Sequence, residues 1–227
     1  MADRVAFFDV DGTLLPPPSM ERRFLGWLLA RRILGPRHLL RGALSIALNP
    51  PWTAARFKMN KMYLRGEAVD RLEALGAEYV TLAIIPALRR IALETIDHHR
   101  RQGDRVVLLT GSLDLLVGPL ARKMGLDGAI AGRLERAGGH FTGCALAPHP
   151  YGEQKAEALR DYARRANIDL TRACLYSDSA SDLPAFLLVG GATAVNPSPR
   201  LAREARRRGW AIAHWPDASS RRVLILS

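Results

Sequence analysis

Lysine is nearly absent from this chain of 227 residues: of 33 basic residues only Lys58, Lys61, Lys123 and Lys155 are lysines. Arginine is the default cation, so a lysine at a special place carries more information than usual. Cysteine is scarcer still. Cys144 and Cys174 lie far apart with no Cys-x-x-Cys spacing, which excludes a disulfide framework and argues against a zinc site. Long apolar runs are missing too. The most apolar early stretch, Phe24 to Leu34, is interrupted by Arg31 and Arg32 and is too short to span a bilayer. The opening "MADRVAFFDV" has no basic region followed by a long apolar core, so no secretory signal is expected, and a reducing cytoplasm is the simplest home. Acid is in deficit, with 22 acidic residues and a net charge of +11. That balance favours anionic partners such as phosphate esters, nucleic acid or anionic lipid, without choosing among them. A hydrophobic content of 48% is enough to build a core without disulfides or a structural metal.

Strand-like runs alternate with helical patterns over most of the chain. The strands are expected at Arg4 to Val10, Arg105 to Leu109, Ala129 to Ala131, Ala173 to Tyr176, Ala192 to Val195 and Trp210 to His214. Amphipathic stretches at Pro86 to Gln102, Leu113 to Met124, Glu153 to Asn167 and Pro199 to Arg208 lie between them. This alternation predicts an α/β fold, a parallel sheet with helices on both faces. Ser19 to Ile84 breaks the rule by reading as consecutive helices, which predicts an all-helical cap over 18–84 inserted into a core made of 1–17 and 85–227. "PPP" at Pro16 to Pro18 suits a hinge between the two. The Gly-Gly pair in Leu134 to Gly143 predicts a β-hairpin.

The chemistry gathers at strand ends. "FFDVDGTLL" runs a buried strand into Asp9 and Asp11, and two carboxylates ~4 Å apart repel by about 4 kcal/mol at an effective dielectric near 20. A cation, or a proton on one of them, is required. The second strand ends at Thr110, Gly111 and Ser112, "CLYSDSASD" delivers Asp178 and Asp182, and Lys155 opens the preceding helix. Open parallel sheets place their ligand crevice outside the carboxyl ends of the strands, where these residues would converge. Each has a bland alternative: Asp11-Gly12 an ordinary turn, Thr110 a helix cap, Lys155 a solvated first-turn residue, Asp182 a surface charge. Taken singly, each is weak.

Taken together, "DVDGT", "LLTGS", "GEQKAEAL" and "DSASD" resemble the ordered motifs of the haloacid dehalogenase superfamily, and the size and position of the insertion are most similar to its phosphoserine-phosphatase-like branch. The resemblance implies a Mg²⁺-dependent phosphate monoester hydrolase with a Rossmann-like core. In that scheme Asp9 is the nucleophile that becomes an aspartyl phosphate, and Asp11 is the acid and base, its pKa raised relative to its neighbour. Lys155 supplies fixed positive charge. Thr110, Gly111 and Ser112 hold phosphate oxygens. The metal is expected among Asp9, Asp11, through its backbone carbonyl, and Asp178, with Asp182 on metal-bound water or on Lys155.

The substrate is a small phosphate ester that the motifs do not fix. The Phe-x-x-Ser-Leu-x-x-Arg stretch of phosphoserine phosphatases is absent, Glu21 is only a loose match to their early glutamate, and Arg56, Arg65 or Arg71 are possible carboxylate partners. Histidinol phosphate and a lipid phosphate are alternatives. Phe24 to Leu48 interleaves apolar residues with arginines, a pattern that fits an anionic membrane surface or, by the preferred reading, two core-facing helices with solvated arginines. A phosphoaspartate signalling module is disfavoured by Asp11 and the long insertion. Nucleic-acid binding lacks any fingerprint, and "RRR" at Arg206 to Arg208 suits a helix end. His98 and His99 are expected to be solvated, and His140 and His149 receive no role.

Overall fold

Side chains of successive strand residues point to opposite faces, so a strand that is apolar at every position must be covered on both sides. The first strand, β1 (Val5–Phe8), meets that condition in the computed structural model, which describes residues 4–48 and 60–217. Ala6 and Phe8 enter one apolar cluster, Val5 and Phe7 the other. Five further strands complete the sheet: β2 (Arg105–Leu113), β3 (Gly128–Gly132), β6 (Cys174–Ser177), β7 (Gly191–Val195) and β8 (Ala211–Ala213). The order is β3-β2-β1-β6-β7-β8 and every pairing is parallel. The remaining two strands, β4 (Leu134–Ala137) and β5 (His140–Ala145), form the expected hairpin as a separate pair.

Helices α4 (Arg90–Arg101) and α5 (Asp114–Lys123) cover one face through Ala92, Ile96, Leu116 and Leu120. On the other face α6 (Glu153–Ala166), α7 (Leu183–Phe186) and α8 (Pro199–Arg208) pack Leu159, Phe186 and Leu201 against β1, β2 and β6. Arg206, Arg207 and Arg208 do close α8, where positive charge suits the helix dipole. Between β1 and α4 lie α1 (Met20–Ala30), α2 (Pro36–Leu48) and α3 (Val69–Tyr79). They have no core of their own. Phe24, Leu28, Leu72 and Tyr79 belong to the same cluster as Phe8, Leu108 and Leu116. The segment before α3 is tied to the hairpin by backbone bonds, Lys61 N–H to Gly143 C=O (2.9 Å) and Val69 N–H to Gly139 C=O (2.9 Å).

Several expectations need correction. The second strand runs on through Thr110, Gly111 and Ser112 to Leu113, because Leu113 still pairs with Gly132 across an irregular register. His99 is not solvated: it is 6% exposed, its Nδ1 lies 2.7 Å from Asp104 and its Nε2 2.9 Å from Tyr176, bonds that only the packing of α4 on the sheet brings together. His149 is buried as well, its ring against Gly132, which has no room for a Cβ. Apart from these corrections, the Arg23 guanidinium donates to the carbonyls of all three prolines of the Pro16 to Pro18 stretch. Of the core-facing pair expected in Phe24 to Leu48, α1 conforms, but α2 buries only His38 and leaves Leu40, Leu44 and Leu48 68%, 53% and 70% exposed. Lys58 and Arg56 lie outside the described residues.

Candidate active site

The strand order reverses between β1 and its neighbours β2 and β6, and such a switch point opens a crevice at the carboxyl ends of the strands. There a cavity of about 750 Å³ is lined by all of the expected site residues, Asp9, Asp11, Thr110, Gly111, Ser112, Lys155, Asp178 and Asp182. A groove of about 820 Å³ along α6 gathers none of them.

Asp9 directly follows β1, and its N–H donates to Tyr176 C=O of β6 at 2.9 Å, which sets the start of the loop beside the Asp178 loop. The chain then turns back, Leu15 N–H bonding to Val10 C=O (2.9 Å) and Gly12 N–H to Leu15 C=O (2.7 Å). Gly12 is demanded twice: its φ is +85°, and a Cβ there would stand 2.1 Å from Asp178 Oδ2. A buried residue that sequence reasoning missed, Arg89, clamps this loop. Its guanidinium donates to the carbonyls of Gly12 and Thr13 and pairs with Asp217 at 2.8 Å. No motif marks it, because its partners come from both ends of the described chain.

Lys155 reaches the site from the first turn of α6 and is 2% exposed. Its Nζ lies 2.9 Å from Asp9 Oδ1 and 2.5 Å from Asp182 Oδ2, and Ser177 Oγ donates to the same Asp182 oxygen at 2.5 Å. Asp182 and Asp9 therefore share the lysine's ammonium. Burial alone would weaken the lysine's hold on its proton, yet Asp182 and Asp9 reverse that and keep it firmly cationic. One ammonium does not balance the carboxylates around it. Burial pushes Asp9 up to about 7, with Lys155 pulling down and Asp182 and Asp178 adding to the rise. Burial, reinforced by Asp182, pushes Asp178 up to about 6.

The Asp11 side chain turns toward the helical insertion: Oδ1 accepts from Met20 N–H at the start of α1 (2.6 Å) and Oδ2 from Ser112 Oγ (2.5 Å). Thr110 is buried and its Oγ1 accepts from Ser112 N–H at 3.2 Å. Gly111 lets β2 approach the Pro150 carbonyl, which would stand 3.0 Å from an added Cβ. Among the described residues no three His, Cys, Asp or Glu side chains converge closely enough to hold a metal ion by themselves. The expected set does not require it, since it combines two carboxylates with a main-chain carbonyl.

In the same cavity, sequence reasoning missed a second buried lysine. Lys61 Nζ contacts both oxygens of Glu21, at 2.6 and 2.8 Å, and Tyr63 Oη donates to Glu21 Oε1 at 2.5 Å. The scarcity of lysine was the available signal, because two of the four line this cavity.

A family model described as haloacid dehalogenase-like hydrolase matches residues 6–187. Phosphoserine phosphatase SerB1 of Mycobacterium tuberculosis is 35% identical over 214 residues, covering 91% of this chain and 69% of that protein. A Bordetella pertussis Tohama I protein of unknown function has a solved structure that matches with a TM-score of 0.81 at 26% identity, covering 94% of this chain and 99% of its own. A substrate-bound phosphoserine phosphatase shares the fold, with a TM-score of 0.59 at 20% identity and coverage of 94% and 93%. By sequence, sheet topology and the family match, this chain belongs to the haloacid dehalogenase-like hydrolases.

Proposed function

We propose that the protein is a phosphatase that hydrolyses small phosphate monoesters through an aspartyl phosphate on Asp9. The observation that carries this reading is a buried carboxylate, Asp9, gripped by a buried ammonium, Lys155, in the lining of a switch-point cavity that Asp11 and Ser112 also line. A dianionic phosphoryl group needs in-line attack with its charge neutralised. In the first step an Asp9 oxygen bonds to phosphorus and the bond to the alcohol oxygen breaks. Asp11 gives its proton to that oxygen. In the second step water attacks phosphorus, Asp11 takes the water's proton, and the Asp9–phosphorus bond breaks to release phosphate. Lys155 neutralises charge throughout. Thr110, whose Oγ1 accepts from the Ser112 N–H, and the N–H of Gly111 steady the phosphoryl oxygens.

The donor set fits Mg²⁺: hard oxygens from Asp9, Asp178 and the Asp11 carbonyl, in a cluster where burial first, and neighbouring carboxylates after it, raise the pKa values of Asp9 and Asp178. When bound, the ion would supply Lewis-acid polarisation of the phosphoryl group and keep Asp9 ionised at neutral pH. Helices α1 to α3 and the segment over residues 60–68 act as the cap that contacts the alcohol portion. The test is turnover of an aryl phosphate in Mg²⁺: Asp9→Asn is expected to abolish it, and comparable activity in that variant would refute the nucleophile.

One observation favours a second reading, in which the ester is a lipid phosphate. Met20 to Leu48 carries six arginines against one acid, and the exposed leucines of α2 stand at helical i, i+4 spacing, a face suited to an anionic bilayer. No helix among the described residues is long and apolar enough to cross a membrane. Failure to sediment with anionic vesicles at low salt would remove this reading.

A further inference from the structure

Resting on the phosphatase reading, we infer that Lys61 sets the substrate class: the cavity accepts phosphate monoesters whose alcohol portion carries no ammonium group, because the protein already supplies one. The cavity that holds Asp9 also holds Glu21, Lys61 and Tyr63, with Leu25 and Ile46 beside them. A carboxylate in that position would ordinarily attract a cationic substrate group. Here its capacity is taken. Lys61 spans both Glu21 oxygens, and the Tyr63 hydroxyl adds a third bond on Oε1. Burial, reinforced by Glu21, holds the Tyr63 phenol well above its usual pKa, so it remains a donor.

The arrangement is fixed. Lys61 is 5% exposed, its N–H is bonded to the hairpin at Gly143, and its C=O accepts from Leu64 N–H at 2.8 Å. Glu21 sits in the first turn of α1, a favourable place for a carboxylate. A substrate ammonium would have to displace Lys61, itself buried, from its pair with the part-buried Glu21 or lie against it as a like charge, and both are unfavourable. The wall is not hostile to negative charge. Lys61 has one N–H beyond the two on Glu21, and the exposed Arg22 lines the same cavity. An uncharged or carboxylate-bearing alcohol fits, and an aminoalkyl ester does not.

The experiment compares matched pairs on the full-length enzyme in Mg²⁺: O-phosphoserine against 3-phosphooxypropionate, and phosphoethanolamine against ethyl phosphate. Within each pair the two esters differ chiefly by the amine. The expected result is a kcat/KM ratio of roughly tenfold or more in favour of the amine-free ester, the consequence of a like-charge encounter. Lys61→Met should collapse or invert that ratio by exposing Glu21, whereas Lys61→Arg should preserve it. A wild-type preference for the amine-bearing esters overturns the inference, as does a ratio that Lys61→Met leaves unchanged in protein whose circular dichroism is native. If Lys61→Met does not fold, the wild-type and Lys61→Arg ratios decide alone. Failure to hydrolyse any monoester, aryl phosphate included, would instead count against the phosphatase reading.

Discussion

Replacing Asp178 by asparagine should stabilise the protein in a chelator and remove its response to Mg²⁺. Asp178 has its pKa raised by burial, with Asp182 adding to the rise, from 3.8 to about 6. A carboxyl whose folded pKa is raised holds its proton after the unfolded chain has released it, so its stabilising contribution is complete below pH ~4 and is lost as pH climbs through ~6. A rise of about two units corresponds to about 3 kcal/mol at 1.36 kcal/mol per unit. In EDTA at pH 8, Asp178→Asn should therefore be more stable than wild type by up to about 3 kcal/mol. For a chain of this size that is a melting-temperature gain of roughly 6–12 °C. At pH 4 the two proteins should melt together. Adding Mg²⁺ at about 100 times its dissociation constant should return about 2.7 kcal/mol to wild type and almost nothing to the variant. Thermal melts by circular dichroism at pH 4, 6 and 8, with EDTA or Mg²⁺, read all of this. Equal melting temperatures in EDTA at pH 8 would refute the electrostatic argument, and full Mg²⁺ stabilisation of the variant would refute Asp178 as a ligand.

Lys155→Met should leave Asp9 and Asp182 facing each other without their ammonium, costing about 3–5 kcal/mol in urea denaturation and abolishing aryl phosphate turnover; retention of either activity or stability would contradict the assigned pairing. Gly12→Ala should drive a Cβ into Asp178 at a left-handed backbone position and eliminate both turnover and the Mg²⁺-induced rise in melting temperature, in a protein whose secondary structure by circular dichroism is intact. Arg89→Met should strand the Gly12 and Thr13 carbonyls, lowering stability by about 1–3 kcal/mol and reducing kcat more than it raises KM, as steady-state kinetics and denaturant titration would show; an unchanged kcat would make the clamp purely structural.

How legible was the site? Asp9, Asp11, Lys155, Asp178 and Asp182 stood out because each follows a strand or opens a helix, and strand ends of a parallel sheet share one edge. The partners of those residues were less visible. Asp182 could be read as facing either water or Lys155, and only the packing of α6 against the sheet brings Lys155 Nζ to 2.5 Å from Asp182 Oδ2. Lys61 carried a signal in its rarity but no address, since Glu21 lies 40 residues before it. Arg89 carried none.

Periodicity and turn chemistry by themselves determined the alternating strands and helices, the Gly-Gly hairpin and the consecutive helices after β1, because those features depend on neighbours within a few residues. Tertiary structure decided what each apolar or charged face would meet. It buried His99 against Asp104 and Tyr176, carried β2 past Thr110 by pairing Leu113 with Gly132, and left the leucines of α2 facing outward. The reason is physical: a side-chain pattern states that a face needs a partner, whereas the partner's identity is fixed by contacts between residues dozens of positions apart.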